Sequence, residues 1–204
     1  MVRVVHPDNF GWLEHQLNEH ELNHINKCIE QGQTTDAKSQ LIGHVDKSIN
    51  IKDIDDLFLF NTINPLIREF STAFSTVKHQ NIYKEHPYML KDFWVNYQYQ
   101  HEYQPTHNHG GAFSFVIWLK IPTDYKEQNK DNTANTKLNS CFEFQYLNIL
   151  GETCMNRYML TPKDEGKMLF FPSKLLHAVY PYYNCKEERV SVSGNVWVNT
   201  DVSR

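Results

Sequence analysis

Residues 105–111 read "PTHNHGG" and set His107 and His109 one residue apart, just ahead of the apolar run "AFSFVIWLKI". Side chains at i and i+2 of an extended chain point to the same face, so these two imidazoles can converge on one point. A third histidine, His177, stands in "GKMLFFPSKLLHAVYPY", where one β-like run rises, turns at Pro172, Ser173 and Lys174, and enters the next. Beyond it, "ERVSVSGN" alternates Arg189, Ser191 and Ser193 on one face with Val190 and Val192 on the other. An arginine alternating with serines makes sense on a face that looks into a polar pocket, because an unpaired guanidinium is very costly inside an apolar core.

Another histidine pair matches a different chemistry. Residues 20–24, "HELNH", fit the pattern in which two histidines at i and i+4 of a helix bind zinc and the glutamate acts as base. The neighbours Asn18, Glu19, Asn23, Asn26 and Lys27 make this a solvated face, and no third ligand is apparent in the sequence. A surface helix is the reading we adopt there.

The elements that must position these groups follow from the period of the apolar pattern. Leu13, Leu17, Leu22, Ile25 and Ile29 recur at helical steps behind Asp8 as N-cap, which predicts a helix over residues 8–30. Residues 31–52 are polar, with a short apolar island at Leu41 and Ile42. A second amphipathic stripe predicts a helix over 53–76, with Pro65 able to split it. From about residue 90 the pattern turns to β, with runs at 92–99, 112–121, 140–148, 153–161, 167–171, 176–182 and 188–199. The polar stretch 123–138 reads as a solvated loop. The expected molecule is a single α+β domain over 1–204, with a helical N-terminal support region, 1–89, and a β sandwich or small barrel, 90–204.

Composition narrows the partners. A formal net charge of −4 gives no global basic field for nucleic acid. No apolar run approaches the roughly 20 residues that span a bilayer, and the N-terminus lacks the apolar core of a secretion signal. The four cysteines are widely spaced with no Cys-x-x-Cys pair, so they read as reduced thiols and the expected location is cytoplasmic.

The order "WVNYQYQHEYQPTHNHGGAFSFVIWLKIP", "GKMLFFPSKLLHAVYPY", "RVSVSGNVW" resembles the iron(II)- and 2-oxoglutarate-dependent dioxygenases, specifically the prolyl-hydroxylase-like branch found among bacterial and phage oxygenases. The resemblance covers about residues 90–199. It implies a double-stranded β-helix (jelly-roll, cupin-like) core with the N-terminal helices packed on its major sheet. It further implies Fe(II) and 2-oxoglutarate as cofactors, ascorbate as an auxiliary reductant, and hydroxylation of a peptide or small metabolite with release of succinate and CO2. Carried over by position, His107 is the first metal ligand, His177 the distal ligand, Arg189 the anchor of the far carboxylate of 2-oxoglutarate and Ser191 its companion, while Tyr97 touches the cosubstrate. The chain departs from the commonest pattern at His109, which stands where that pattern has a carboxylate; it is either a third ligand or a neighbour of the ligands. Gly110 and Gly111 are expected to let the chain bend closely past the metal. Two other readings stay open at this level: a β-sandwich binding or structural protein without turnover, and a three-histidine cupin-like dioxygenase that does not use 2-oxoglutarate.

Overall fold

The computed structural model describes residues 2–5, 9–31, 36–37, 41–75 and 87–200. Its centre is a pair of facing antiparallel sheets. The chain contributes β1 (Leu13–Gln16), α1 (Glu19–Gln31), β2 (Lys47–Asn50), α2 (Asn64–Ala73), β3 (Tyr88–Gln98), β4 (Gln104–His107), β5 (Phe113–Lys120), α3 (Tyr125–Gln128), β6 (Cys141–Leu147), β7 (Thr153–Met159), β8 (Lys167–Pro172), β9 (Leu176–Val179) and β10 (Arg189–Val198). The major sheet runs β1-β8-β5-β10-β3-β2 and the minor sheet β4-β9-β6-β7. This is a jelly-roll core.

Period-2 alternation divides the residues of the major sheet between two cores. Phe93, Phe113, Phe115, Met168 and Phe170 face the helices and pack with Ile25, Phe58, Ile63, Ile67 and Phe70. Leu169 and Phe171, the intervening residues of β8, join Val116, Trp118, Phe142 and Phe144 between the sheets. Shifting β8 by one residue would exchange these sets, so its register is strongly specified.

The N-terminal region differs from the expected helical support. Leu13–Gln16 pairs with β8 as an edge strand, and Lys47–Asn50 pairs with β3 as the other edge. The helix of this region begins only after Asn18, whose Oδ1 accepts from the Glu21 N–H at 3.0 Å while Glu21 Oε2 accepts from the Asn18 N–H at 2.8 Å. That reciprocal cap ends the strand and starts α1, and the spacing of Leu13 and Leu17 mimics a helix across the junction. The expected cap, Asp8, lies outside the described residues. The second helix is not split at Pro65, since helical residues run without a break from Leu57 to Ala73. A turn of π-helix at Leu59–Ile63 leads directly into α2 and stands immediately before Pro65, which has no N–H to donate. The stretch 123–138 is more than a solvated loop, since Asn129 is buried and donates to the carbonyls of Tyr125 and Asn139, both at 2.9 Å. No helix among the described residues is long and apolar enough to cross a membrane.

Candidate metal centre

Pairing of β4 with β9 sets His107 opposite His177, with ring centroids 4.3 Å apart. Each ring is fixed by its own backbone. His107 Nδ1 donates to the Pro105 carbonyl at 2.7 Å and His177 Nδ1 to the Leu175 carbonyl at 2.9 Å. With Nδ1 protonated, the neutral ring carries its lone pair on Nε2, the atom free to bind a metal. His109 follows the end of β4. Its N–H donates to the Ser173 carbonyl at 2.8 Å and its carbonyl accepts from Lys174 Nζ at 3.1 Å, which holds it over the turn between β8 and β9.

His109 Nε2 stands 3.2 Å from His177 Nε2, and one ring nitrogen from each of the three histidines lies within 4.8 Å of the others. Two nitrogens bound at right angles about 2.1 Å from one ion would stand about 3.0 Å apart, so the donor set fits a divalent cation. Burial pushes the His107 imidazolium below its usual range, against the opposing bond to Pro105. Burial, then His107, takes His109 down to about 4, with Asp92 opposing. Burial, then His107 and His109, holds His177 well below 6.5. The rings are therefore neutral at neutral pH, the form a metal requires.

Arg189 lies deeper in the same cavity and is 1% exposed. Its Nε and Nη2 donate to Gln98 Oε1 at 3.1 and 2.7 Å, and Nη2 also donates to the Tyr180 carbonyl at 3.0 Å. Gln98 is itself fixed, because its amide donates to the Glu102 carbonyl at 2.6 Å. Arg189 Nη1 has no partner. Neither acidic neighbour in sequence reaches the guanidinium: Glu187 pairs with Lys120 and Glu188 accepts from Tyr99. Burial lowers the pKa of Arg189 to about 10, which leaves it charged at neutral pH.

Among the described residues, two other buried side-chain nitrogens lack a partner, Trp94 Nε1 and Gln104 Nε2, and both belong to residues that line this cavity of about 350 Å³. The structure thus gathers His107, His109, His177, Arg189 and Ser191 around one space. Tyr97 is not among them. It packs with the core on the helix side of the major sheet, with Lys47 Nζ 3.8 Å from its ring centre. Parity decides this: Gln98 lies opposite Arg189 and Asn96 opposite Ser191, so Tyr97 points the other way with Val190. Trp94, Gln98 and Gln104 were not singled out from the sequence. The signal for the first two was the same alternation in "WVNYQ", though the register linking it to Arg189 was not readable.

The glycines after His109 answer to a different neighbour than the three histidines. A Cβ on Gly110 would come within 2.7 Å of the Trp197 ring, and Gly111 has φ +89° with the Val196 carbonyl 2.6 Å from where a Cβ would sit. The "HELNH" pair comes apart. His20 is exposed, Glu21 is engaged in the α1 cap, and His24 Nε2 meets Asp53 Oδ1 at 2.7 Å.

Residues 92–195 match a protein-family model described as "Putative 2OG-Fe(II) oxygenase". No curated protein matches the chain. Among solved structures, a 2OG-Fe(II) oxygenase family oxidoreductase from Burkholderia pseudomallei superposes with a TM-score of 0.51 at 15% identity, covering 89% of this chain and 80% of its own. HygX from Streptomyces hygroscopicus, solved with nickel, 2-oxoglutarate and hygromycin B bound, gives 0.55 at 9% identity, covering 94% and 84%. At these identities the likeness is one of fold.

Proposed function

The chain belongs to the 2OG-Fe(II) oxygenase family and is an oxygenase using Fe(II) and 2-oxoglutarate; from that premise we propose that it hydroxylates a small substrate with release of succinate and CO2. His107, His109 and His177 hold the iron through Nε2 of His107 and His177 and a ring nitrogen of His109. Arg189 takes the C5 carboxylate of 2-oxoglutarate through Nη1, with Ser191 beside it. When bound, Fe(II) and 2-oxoglutarate together supply the activation of O2.

The remaining work belongs to the protein. Gln98 occupies two of the Arg189 N–H groups and so orients the guanidinium before any ligand arrives. Trp118, Phe142 and Phe171 form apolar walls that exclude water and strengthen the charge-assisted bonds inside. A cytoplasmic location suits the four cysteines, all of them free thiols.

The observation that carries the reading is Arg189 Nη1, a charged, buried donor without a partner in the cavity that holds the three histidines. Leaving such a group unpaired is costly, and a dicarboxylate reaching from the metal would pair it. The test is anaerobic titration of 2-oxoglutarate into Mn(II)-loaded protein. Arg189→Met is expected to weaken binding by about 2–5 kcal/mol, at least roughly thirtyfold, with little change in metal affinity. Equal affinity in the two proteins would overturn the assignment.

A further inference from the structure

Among the described residues, the ionisable side chains that line the cavity are Arg189 and three histidines, with no aspartate or glutamate. Loaded as the function proposed above requires, it holds a divalent ion and the Arg189 cation against the two charges of 2-oxoglutarate, with the imidazoles neutral. Among the groups that line the cavity this count leaves one positive charge, with Asp92 acting on His109 from outside the lining. A carboxylate in place of His109 would cancel it, so the departure at His109 has an electrostatic consequence for whatever else enters.

Two donors point to the same kind of ligand. Trp94 is 6% exposed and Gln104 is 8% exposed, yet Trp94 Nε1 and Gln104 Nε2 have no acceptor. The orientation of the Gln104 amide is fixed, because its Oε1 accepts from the Gly43 N–H at 2.8 Å and leaves the NH2 as the unpaired end. Trp94 belongs to β3 of the major sheet and lies 5.9 Å from His109, ring to ring. Gln104 belongs to β4 of the minor sheet. A buried N–H without an acceptor costs about 1–3 kcal/mol, and a ligand oxygen removes that cost.

The apolar island noted in the sequence supplies the third element. Leu41, Ile42 and Val45 line the cavity, and Ile42, 63% exposed, stands at its mouth. This strap crosses from β2 of the major sheet to the minor-sheet side. It is tied there by Gly43 to Gln104, by the His44–Tyr103 bridge and by the Asp46 N–H donating to Glu102 Oε1 at 2.9 Å.

We propose that the oxidised substrate is a small monocarboxylic acid with an apolar chain, its carboxylate accepting from Trp94 Nε1 and Gln104 Nε2 and its chain lying along the strap of Leu41, Ile42 and Val45. This rests on the cosubstrate assignment above. The carboxylate neutralises the residual charge and pairs both donors. The strap gives the chain an apolar wall that opens to solvent at Ile42.

The test uses Mn(II)-loaded protein saturated with 2-oxoglutarate without oxygen, titrated calorimetrically with butanoate, hexanoate and octanoate and with the matching amides, alcohols and amines. Acids are expected to bind at least about tenfold more tightly than the amides of equal length. Trp94→Phe keeps the ring and removes the N–H; Gln104→Glu keeps an oxygen for Gly43 and adds a negative charge. Trp94→Phe should lower acid affinity about tenfold or more without changing 2-oxoglutarate affinity, and Gln104→Glu should lower acid affinity and erase the preference over amines. Ile42→Ser should weaken octanoate more than butanoate. Acids no better than amides, no acid binding at all, or acids that displace 2-oxoglutarate would overturn the proposal, as would a fall in 2-oxoglutarate affinity in Trp94→Phe, which assigns that donor to the cosubstrate. Circular dichroism of the variants separates these results from misfolding, and the wild-type preference for acids stands as a test without any variant. Failure of wild-type protein to bind 2-oxoglutarate would remove the function itself and the charge argument with it.

Discussion

His20 and His24 on α1 and His107 and His109 at the end of β4 are both pairs at a spacing that brings two imidazoles to one side of their element, and they end in opposite states. On α1 each candidate group is already engaged or exposed. Glu21 caps its own helix and accepts from Thr62, while His24 Nε2 faces Asp53 and, at 3.3 Å, Cys28 Sγ. Asp53 in turn accepts from the N–H groups of Phe58 and Leu59 at 3.1 and 2.9 Å, so the cluster joins two helical segments. At β4 the backbone takes Nδ1 of His107, as it takes Nδ1 of His177 on β9, and leaves both Nε2 atoms turned to a shared space. Spacing makes two histidines neighbours; what decides between a structural tie and a metal site is which nitrogen the surrounding fold has already used.

The sharpest way to break this comparison is to exchange the fates of the two pairs. His177→Ala should abolish stoichiometric Fe(II) or Mn(II) binding, a loss of more than about a hundredfold in affinity, because in the proposed function it removes a ligand rather than a partner of one. The double change His20→Ala and His24→Ala should leave metal stoichiometry intact, measured by elemental analysis after desalting. The reverse result would place the metal on α1.

A smaller effect of the opposite kind is expected at Asp53. Asp53→Ala removes the acceptor for two helix N–H groups and for His24, and should cost roughly 2–4 kcal/mol in urea unfolding of the metal-free protein while metal stoichiometry is unchanged. A stable variant that had lost metal would show that the α1 cluster carries a function we have not given it.

The smallest effect concerns protons. The three site imidazoles are held below 6.5 in the folded chain, His109 at about 4. Above pH 7 both folded and unfolded rings are neutral and contribute nothing. As pH falls through 6.5 the unfolded chain takes up protons that the folded chain does not, so the metal-free protein should lose stability from pH 7 toward pH 4. His177→Leu should flatten that slope, read from urea midpoints at pH 8, 6 and 5. An unchanged slope would mean that His177 titrates normally when folded.

Much of the fold and of the site was legible before any coordinates. Alternation in "RVSVSGN" put Arg189, Ser191 and Ser193 on one face, and the i, i+2 rule put His107 and His109 on one side, because these relations are set by backbone geometry within a single strand. The same rule applied to "WVNYQ" separates Tyr97 from Gln98, yet could not say which of the two would face the cavity. That was decided by tertiary structure: helices cover one face of the major sheet and the minor sheet covers the other, and both belong to distant parts of the chain. The edge strands Leu13–Gln16 and Lys47–Asn50 escaped for a related reason, since four residues at a sheet edge carry little alternation of their own and become strands only by pairing with β8 and β3. The sequence by itself determined which residues travel together; pairing of β4 with β9 and of β3 with β10 decided which of them meet, setting His107 opposite His177 and Gln98 opposite Arg189, because register is fixed by burial on both sides of the sheets rather than by any local run of residues.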